Sequence, residues 1–265
     1  AFAHCLQGLA HETLGDFDKA EDAFKRSLLV APRYSFAHFC TGNLFMNRGM
    51  DEPALESFRL AIQCDEKNLA AYLNLGNLCA KRGCFDVAIR CFTHILRIDP
   101  AYVNAYTSRG SALLRINLIQ EAGRDFAEAY RLDPCDQATQ SNYALIDSLR
   151  GEYDEAISIL DQALASDPSR IILAYNKSLL LLAKGDYQRG FRLYENRHEA
   201  MGRSSISTST KLWLGTQDIQ GKTLLLHAEQ GFGDTIQFCR YAPLVAARGA
   251  RVLLMVPAPL ADLMG

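Results

Sequence analysis

The sequence predicts an all-α solenoid of paired antiparallel helices, followed by the start of an α/β domain with a Rossmann-like sheet. Three observations support this fold class. Small, aromatic and proline residues recur every 34 residues over about three quarters of the chain. Hydrophobic residues make up 49% of the 265 residues, which is enough to bury a core. Beyond about residue 210, short apolar runs typical of strands replace the helical pattern.

Charge and hydrophobic patterning limit the classes of partner. The net charge is −2, whereas a nucleic-acid binder needs a basic face to displace phosphate counterions. No apolar run approaches the roughly 20 residues that cross a bilayer. The eight cysteines contain no C-x-x-C pair, which favours reduced thiols in a cytoplasmic protein over zinc ligands. We therefore expect no nucleic-acid partner, no membrane span and no metal.

Position 8 of each repeat, counted from the first residue of the unit, holds a small residue. A small side chain lets the first helix of a unit approach the second closely, and alanine at position 20 does the same from the second helix. The position 8 residues are Gly8, Gly42, Gly76, Gly110, Ala144 and Ser178, and the position 20 residues are Ala20, Ala54, Ala88, Ala122, Ala156 and Gly190.

Aromatic and turn residues complete the repeat. Phe24, Phe58, Phe92 and Phe126 stand at position 24, followed by Leu160 and Tyr194, and we expect them to fill the space between successive units. Glycine at position 15, or asparagine in the fourth unit, suits the left-handed turn that ends the first helix. Proline at position 32 of most units stops the second helix.

This pattern resembles the tetratricopeptide repeat family, whose helix-turn-helix units stack into a superhelix. The resemblance implies a repeat array over residues 1–200 and a serine- and threonine-rich linker over 201–211. The five full units are 1–34, 35–68, 69–102, 103–136 and 137–170, and a degenerate unit spans 171–200.

The resemblance also implies a partner polypeptide in the groove, because the first helices of this family line the concave face. Side-chain amides there form a ladder in the repeat arms of protein O-GlcNAc transferases. Such a ladder can grip an extended peptide backbone without reading its sequence. Alternatively, the amides only solvate a helix face or bond to neighbouring backbone. The expected groove residues are Asn43, Asn74, Asn77, Lys81, Ser108, Arg115, Asn142 and Asn176.

Two other kinds of site fit the repeats less well. His4 and His38 share position 4, but no third metal ligand recurs there, so packing in place of an aromatic ring is favoured. Chaperone adaptors of this family clamp a C-terminal carboxylate with basic side chains. Those basic positions hold Phe39, Asn104 and Ser108 here, which disfavours a chaperone-tail receptor.

The segment after the linker predicts a parallel strand–helix–strand unit. Residues 222–228 and 251–256 are short apolar runs, expected to be buried strands. Residues 235–248 are expected to form the connecting helix, which Gly249 can cap. A dinucleotide fingerprint needs a third glycine where Ile236 stands, and Gly221-Lys222-Thr223 precedes a strand instead of following one, unlike a P-loop. We therefore expect no cofactor in this chain.

A string of residues from Trp213 to Tyr241 resembles bacterial tetratricopeptide repeat proteins that carry a C-terminal glycosyltransferase-like domain. It comprises Trp-Leu-Gly at 213–215, Gly-Lys-Thr-Leu-Leu-Leu at 221–226, Glu-Gln-Gly-Phe-Gly-Asp-Thr-Ile-Gln-Phe at 229–238 and Arg-Tyr at 240–241. The segment Gly-Asp-Thr-Ile at 233–236 is also similar to the Gly-Asp motif of heptosyltransferases, which have the two-domain GT-B fold. The resemblance covers residues 212–265.

The resemblance implies sugar transfer, an activity for which this chain would contain only part of the catalytic domain. A GT-B enzyme transfers a sugar from a nucleotide-sugar donor, which binds mainly in its second half, and the chain ends at Gly265 within the first. The expected parent is a longer glycosyltransferase whose repeats recruit a polypeptide. The alternative is a non-catalytic tetratricopeptide scaffold or adaptor, and the sequence does not separate the two.

Asp234 is the candidate general base of that activity, by its match to the heptosyltransferase motif. A carboxylate at the carboxyl end of a strand can take the proton from an attacking acceptor hydroxyl. Aspartate is also a favoured helix N-cap, which would bond the amide of Ile236 or Gln237. The expected acceptor loop around Asp234 consists of Glu229, Gln230, Gly231, Gly233 and Gln237.

Overall fold

The computed structural model describes residues 1–202, 213–229 and 231–264, and the chain divides into two compact units, residues 1–205 and 206–265. The predicted linker at 201–211 lies mostly outside the described residues. No strand occurs within residues 1–202, all of which the structure describes. The first unit is therefore the all-α helical solenoid that the 34-residue period predicts.

Six antiparallel helix pairs and one short helix build the first unit. Each pair turns at a left-handed residue: five glycines at position 15 have φ between 71° and 91°, and Asn117 has φ 63°. The pairs are α1 (Phe2–Thr13) and α2 (Phe17–Val30), α3 (Ser35–Asn47) and α4 (Asp51–Cys64), α5 (Leu69–Lys81) and α6 (Phe85–Ile98), α7 (Val103–Arg115) and α8 (Ile119–Leu132), α9 (Gln137–Arg150) and α10 (Tyr153–Ser166), α11 (Ile171–Lys184) and α12 (Tyr187–Tyr194), followed by α13 (Arg197–Ala200).

The core of each of the first four repeats is a phenylalanine ring against a glycine. Phe24, Phe58, Phe92 and Phe126 are at most 1% exposed. A Cβ built on the position 8 glycine of the same unit would come within 2.4 to 2.7 Å of the ring. We expected these rings to fill the space between successive units. The structure shows that they also occupy the site that the missing Cβ leaves inside their own unit.

Adjacent repeats are joined through position 4 of the first helix. His38 Nε2 lies 2.9 Å from the carbonyl oxygen of Pro32, in the loop of the preceding repeat. Gln140 Nε2 donates to the equivalent carbonyl of Pro134 at 2.8 Å. In both repeats a polar side chain stands at the position that Tyr72 and Tyr106 occupy in the third and fourth repeats. Its hydrogen bond to the preceding loop gives the residue a structural role, which accounts for His38 without a metal.

The second unit contains a two-stranded parallel sheet. Strands β1 (Thr223–His227) and β2 (Arg251–Met255) pair in register from Thr223 with Arg251 to His227 with Met255. This strand–helix–strand order is the one that the sequence predicts. The elements between and after the strands are α14 (Phe232–Cys239), α15 (Ala242–Ala246), a 3-10 turn (Ala258–Leu260) and α16 (Ala261–Met264).

Two details of the second unit differ from the sequence-based expectations. The single helix expected over 235–248 is two helices, and Pro243 lies in the first turn of the second, where its missing N–H costs no hydrogen bond. The strands are not buried, since Leu225 and Leu253 are each 45% exposed. Two strands of five residues cannot cover both faces of a sheet, and they do not by themselves establish a GT-B domain.

Candidate functional site

The candidate site is the face that the first helices of successive repeats form together. Helix α7 contacts both α5 and α9, and α9 contacts α11, so these helices lie side by side. Their exposed residues follow a 4-3-4 spacing, which places them on one side of a helix. Positions 2, 6, 9 and 13 of a first helix therefore lie along one side; their side chains are exposed or half-buried in α5, α7, α9 and α11, whereas Cys40 at position 6 of α3 is buried. We call this surface the inner face.

An open cavity of about 440 Å³ lies on the inner face of α5, α7 and α9. Five of the eight predicted groove residues line it, and they come from three consecutive repeats. Amide, hydroxyl and cationic groups therefore converge on one volume. These five residues are Asn77, Lys81, Ser108, Arg115 and Asn142.

The other three predicted groove residues lie outside this cavity and are hydrogen-bonded within the protein. Asn74 Nδ2 donates to Asn43 Oδ1 at 2.7 Å, which links the first helices of the second and third repeats. Asn176 Nδ2 donates to Ser141 Oγ at 3.1 Å, which links the first helices of the fifth and sixth repeats. Each of these three amides therefore already satisfies part of its bonding capacity by joining neighbouring repeats through side chains, a pairing that neither interpretation of the ladder specified.

The amides inside the cavity differ in this respect. Among the described residues, the side chains of Asn77 and Asn142 have no hydrogen-bond partner. Asn77 is exposed and Asn142 is half-buried. Each amide offers a carbonyl acceptor and an NH₂ donor, the pair of groups that a peptide backbone complements.

The two cations of the cavity are held by contacts at position 17 of the preceding repeat. Lys81 Nζ lies 3.2 Å from Asp51 Oδ1, and the guanidinium carbon of Arg115 lies 5.6 Å from the ring centroid of Phe85. The ion pair is exposed and therefore weak. Within the part of the chain that the structure describes, no carboxylate pairs with Arg115; its charge rests on the face of the Phe85 ring and remains available to an anionic group.

Sequence reasoning missed three kinds of lining residue: the aromatic platform Phe85, the hydroxyl of Thr107, and the alanines Ala80, Ala112 and Ala138. Phe85 belongs to a second helix, so a search restricted to first helices does not find it. Position 17 holds Asp51 in the second repeat and Phe85 in the third, and position 13 of the following repeat holds Lys81 and Arg115, respectively. This pairing of positions is the sequence signal that would have identified Phe85.

In the second unit, Asp234 is not the N-cap of its helix. Gly231 occupies the cap and α14 begins at Phe232, so Asp234 is the third helical residue and its expected capping role is wrong. A carboxylate in the first turn still favours the positive end of the helix dipole. Asp234 is half-buried, whereas Gly231, Gly233 and Gln237 are exposed and Glu229 is half-buried at the end of β1. Gln230 lies outside the described residues.

Burial keeps two of the cysteine thiols protonated. It raises the pKa of the Cys40 thiol to about 12 and that of the Cys91 thiol to about 11. A thiol attacks or binds a metal as its thiolate, so these two side chains act as small core residues. The described residues contain no group of three or more His, Cys, Asp or Glu side chains that could hold a metal ion.

Family models identify the repeats. One tetratricopeptide repeat model matches residues 1–34 and 69–102, and a second matches residues 150–205. No curated protein matches the chain in sequence. The first unit is thus an array of tetratricopeptide repeats, a fold that has no cofactor of its own. Within the described residues, no helix is both long and apolar enough to cross a membrane.

Solved structures of low sequence identity share the fold. A tetratricopeptide repeat protein from Parabacteroides merdae is 19% identical with a TM-score of 0.64, over 77% of this chain and 79% of that one. The Pseudomonas aeruginosa protein PilF is 17% identical with a TM-score of 0.65, over 76% and 92%. YrrB, a tetratricopeptide repeat protein with an unusual peptide-binding site, is 18% identical with a TM-score of 0.55, over 69% and 94%. At these identities the likeness concerns the fold alone.

Proposed function

We propose that this tetratricopeptide repeat protein is a protein-interaction scaffold that binds an extended polypeptide along its inner face. The observation that carries the proposal is the cavity on α5, α7 and α9, which seven polar side chains from three repeats line. Tetratricopeptide repeats act as interaction scaffolds, and the fold neighbour YrrB has a peptide-binding site. The proposed partner is a polypeptide, and the proposed location is the cytoplasm.

The side chains suit a peptide backbone better than a compact small molecule. An extended peptide presents a carbonyl and an N–H at regular intervals, and each is matched by the amide of Asn77 or Asn142. The cavity is open to solvent, so an extended chain can reach its lining side chains. The hydroxyls of Ser108 and Ser111 lie between the two amides in repeat order.

The test is a binding titration with a mixed library of unstructured, fluorescently labelled peptides of about 12 residues, which span roughly 40 Å when extended. We expect Asn77→Ala, Ser108→Ala and Asn142→Ala, combined, to weaken binding while circular dichroism and melting temperature stay unchanged. The matched control combines Arg90→Ala, Gln120→Ala and Gln162→Ala, exposed residues of the second helices. Equal affinity of the two triple variants and the parent protein would overturn the proposal.

A second candidate function concerns residues 213–264, and one observation favours it. Strands β1 and β2 are parallel, and Asp234 lies in the first turn of α14, the helix that follows β1 along the chain; ligands of open α/β sheets bind near the carboxyl ends of the strands. We propose on this basis that the segment belongs to a glycosyltransferase-like domain. In that domain Asp234 is the general base and residues 229–237 approach the sugar acceptor.

Sugar transfer by the natural full-length protein tests the second candidate. Radiolabelled nucleotide sugars are supplied with the bound polypeptide as acceptor, and Asp234→Asn is compared with the parent protein. Asparagine keeps the size of the side chain but accepts no proton, so transfer should fall by a factor of about 100 or more. Transfer at the parent rate by Asp234→Asn removes the proposed role of Asp234. Absence of transfer from every donor leaves the scaffold as the function.

A further inference from the structure

The inner face changes chemistry abruptly between the fourth and fifth repeats. Positions 9 and 13 are polar or basic in the second to fourth repeats and aliphatic in the fifth and sixth. The polar set is Asn43, Asn77 and Ser111 at position 9, with Asn47, Lys81 and Arg115 at position 13. The aliphatic set is Leu145 and Leu179 at position 9, with Leu149 and Ala183 at position 13.

The aliphatic side chains are exposed to solvent. Leu145 is 43% exposed, Leu149 52% and Leu179 42%, and Ile172 at position 2 of the sixth repeat is 46% exposed. We call these four residues the apolar strip. On α9 the residues Ala138, Asn142, Leu145 and Leu149 follow one another at spacings of four, three and four. The apolar strip therefore continues the inner face from the cavity along the same side of the helices.

Acidic residues are scarce on the first helices of the repeats, and the exception on α1 is Glu12, which accepts a hydrogen bond from Asn47 Nδ2 at 2.7 Å. Helices α3, α5, α7 and α11 contain no Asp or Glu at all, and the one acid of α9, Asp147, is only 4% exposed. The second helices α2, α4, α8 and α10 carry three acids each. Lys81 and Arg115 are thus the charged side chains at the inner-face positions of the third and fourth repeats. Lys81 pairs with Asp51, but that ion pair is exposed and weak, so a carboxylate of an anionic partner can compete for Lys81 and can also approach Arg115.

We infer that the polypeptide bound here is bipartite, with acidic side chains against Lys81 and Arg115 and aliphatic side chains against the apolar strip. The inference rests on the proposed function and specifies its ligand. Neighbouring first helices lie about 10 Å apart, so the cations of α5 and α7 and the leucines of α9 and α11 are roughly 20 Å apart. An extended peptide covers that distance with about six residues. The ligand is thus an acidic segment followed or preceded, about six residues away, by leucine-like side chains.

Labelled peptides of defined composition test the inference. The full peptide carries two glutamates and, about six residues away, two leucines in a serine-glycine background, and it is made in both chain orders. One comparison peptide replaces the glutamates with glutamine, another replaces the leucines with serine, and a third halves the spacing. Binding is measured by fluorescence anisotropy at low salt and again at high salt, where an exposed charge contact weakens.

Two double variants test the contacts of the acidic part and of the aliphatic part of the ligand separately. Combined Lys81→Gln and Arg115→Gln should weaken the full peptide roughly three- to ten-fold and leave the glutamine peptide unchanged. Combined Leu145→Ser and Leu179→Ser should weaken the full peptide roughly ten-fold and leave the serine peptide unchanged. The matched controls are Arg90→Gln with Arg97→Gln, and Leu29→Ser with Ile98→Ser, which are exposed residues of second helices.

The outcomes distinguish this inference from the proposed function. Selective losses, together with weaker binding of the half-spaced peptide, support the bipartite ligand. If all four peptides bind equally well, and Asn77→Ala with Asn142→Ala weakens each of them, the proposed function stands and the bipartite ligand is overturned. If no inner-face substitution changes the binding of any peptide, both are overturned.

Discussion

The ring of Phe92 lies against the α-carbon of Gly76, so closely that a Cβ on Gly76 would meet the Cε1 atom of the ring at 2.6 Å. Phe92 is fully buried. Real side chains do not approach to this distance, so a methyl group at residue 76 must displace the ring or push the two helices apart. The same contact recurs in the first four repeats, and the glycine and the phenylalanine of each unit therefore depend on one another.

Gly76→Ala should lower the free energy of unfolding by about 1–3 kcal/mol, because the added methyl group overpacks the contact with Phe92. The fifth repeat suggests the compensating change, since Ala144 there is paired with Leu160. We expect Gly76→Ala and Phe92→Leu together to cost less than the sum of the two single substitutions, measured by urea denaturation. Additive costs in this double-mutant cycle would show that the two residues do not share one site.

Arg109 and Asp125 form a two-pronged ion pair inside the fourth repeat. Nε and Nη2 of Arg109 each lie 2.7 Å from an oxygen of Asp125, which is buried, and this hydrogen bonding raises the pKa of Arg109. Asp125→Ala leaves a partly buried guanidinium without its partner and should cost about 3 kcal/mol. Glu128→Ala is the control, since its pair with Arg131 is exposed and worth less than about 1 kcal/mol. Equal melting temperatures of the two variants would contradict this account.

Asp147 should make stability depend on pH. Burial raises its pKa above the ordinary 3.8, and the charge of Glu152 adds to the effect. Because its pKa is higher in the folded chain, the folded chain binds the proton more tightly than the unfolded chain. The free energy of unfolding therefore falls as the pH rises from 3.8, the ordinary pKa, through the raised pKa of the folded chain. Asp147→Asn should therefore unfold at a higher temperature than the parent at pH 7, with the difference vanishing near pH 4.

The control for Asp147→Asn is Asp22→Asn, a substitution of an exposed aspartate in the middle of α2. It removes the same charge and should leave the melting temperature unchanged at both pH values. A destabilised Asp147→Asn at pH 7 would mean that the weak pairing of Asp147 with Arg150, at 3.9 Å, outweighs the effect of burial.

The repeat period was sufficient to predict the solenoid, because each recurring residue meets one local requirement, such as a tight turn, a close contact between two helices or the end of a helix. Glycine at position 15 is needed for a left-handed turn, and the structure has it there with positive φ in five units. The contact between Gly76 and Phe92 could not be assigned in the same way, since a period shows that two positions are constrained but not that they touch.

The candidate site was only partly predictable. Helical spacing places Asn77 and Asn142 on the inner face, but it does not show that Asn74 is bonded to Asn43 and Asn176 to Ser141. Those pairings depend on the distance between neighbouring helices. In the second unit, Asp234 was expected to cap its helix, and the helix instead begins at Phe232, because local sequence fixes the first residue of a helix poorly.

Site-specific photo-crosslinking tests the central claim, that the inner face is where a polypeptide binds, most directly. A photoreactive phenylalanine analogue replaces Ser111, which lines the cavity of the inner face, or Arg97, which is exposed on the second helix α6. Each protein is irradiated with a mixed library of unstructured peptides of about 12 residues. We predict peptide adducts at residue 111 and essentially none at residue 97. Adducts at residue 97 that equal or exceed those at residue 111 would contradict the claim.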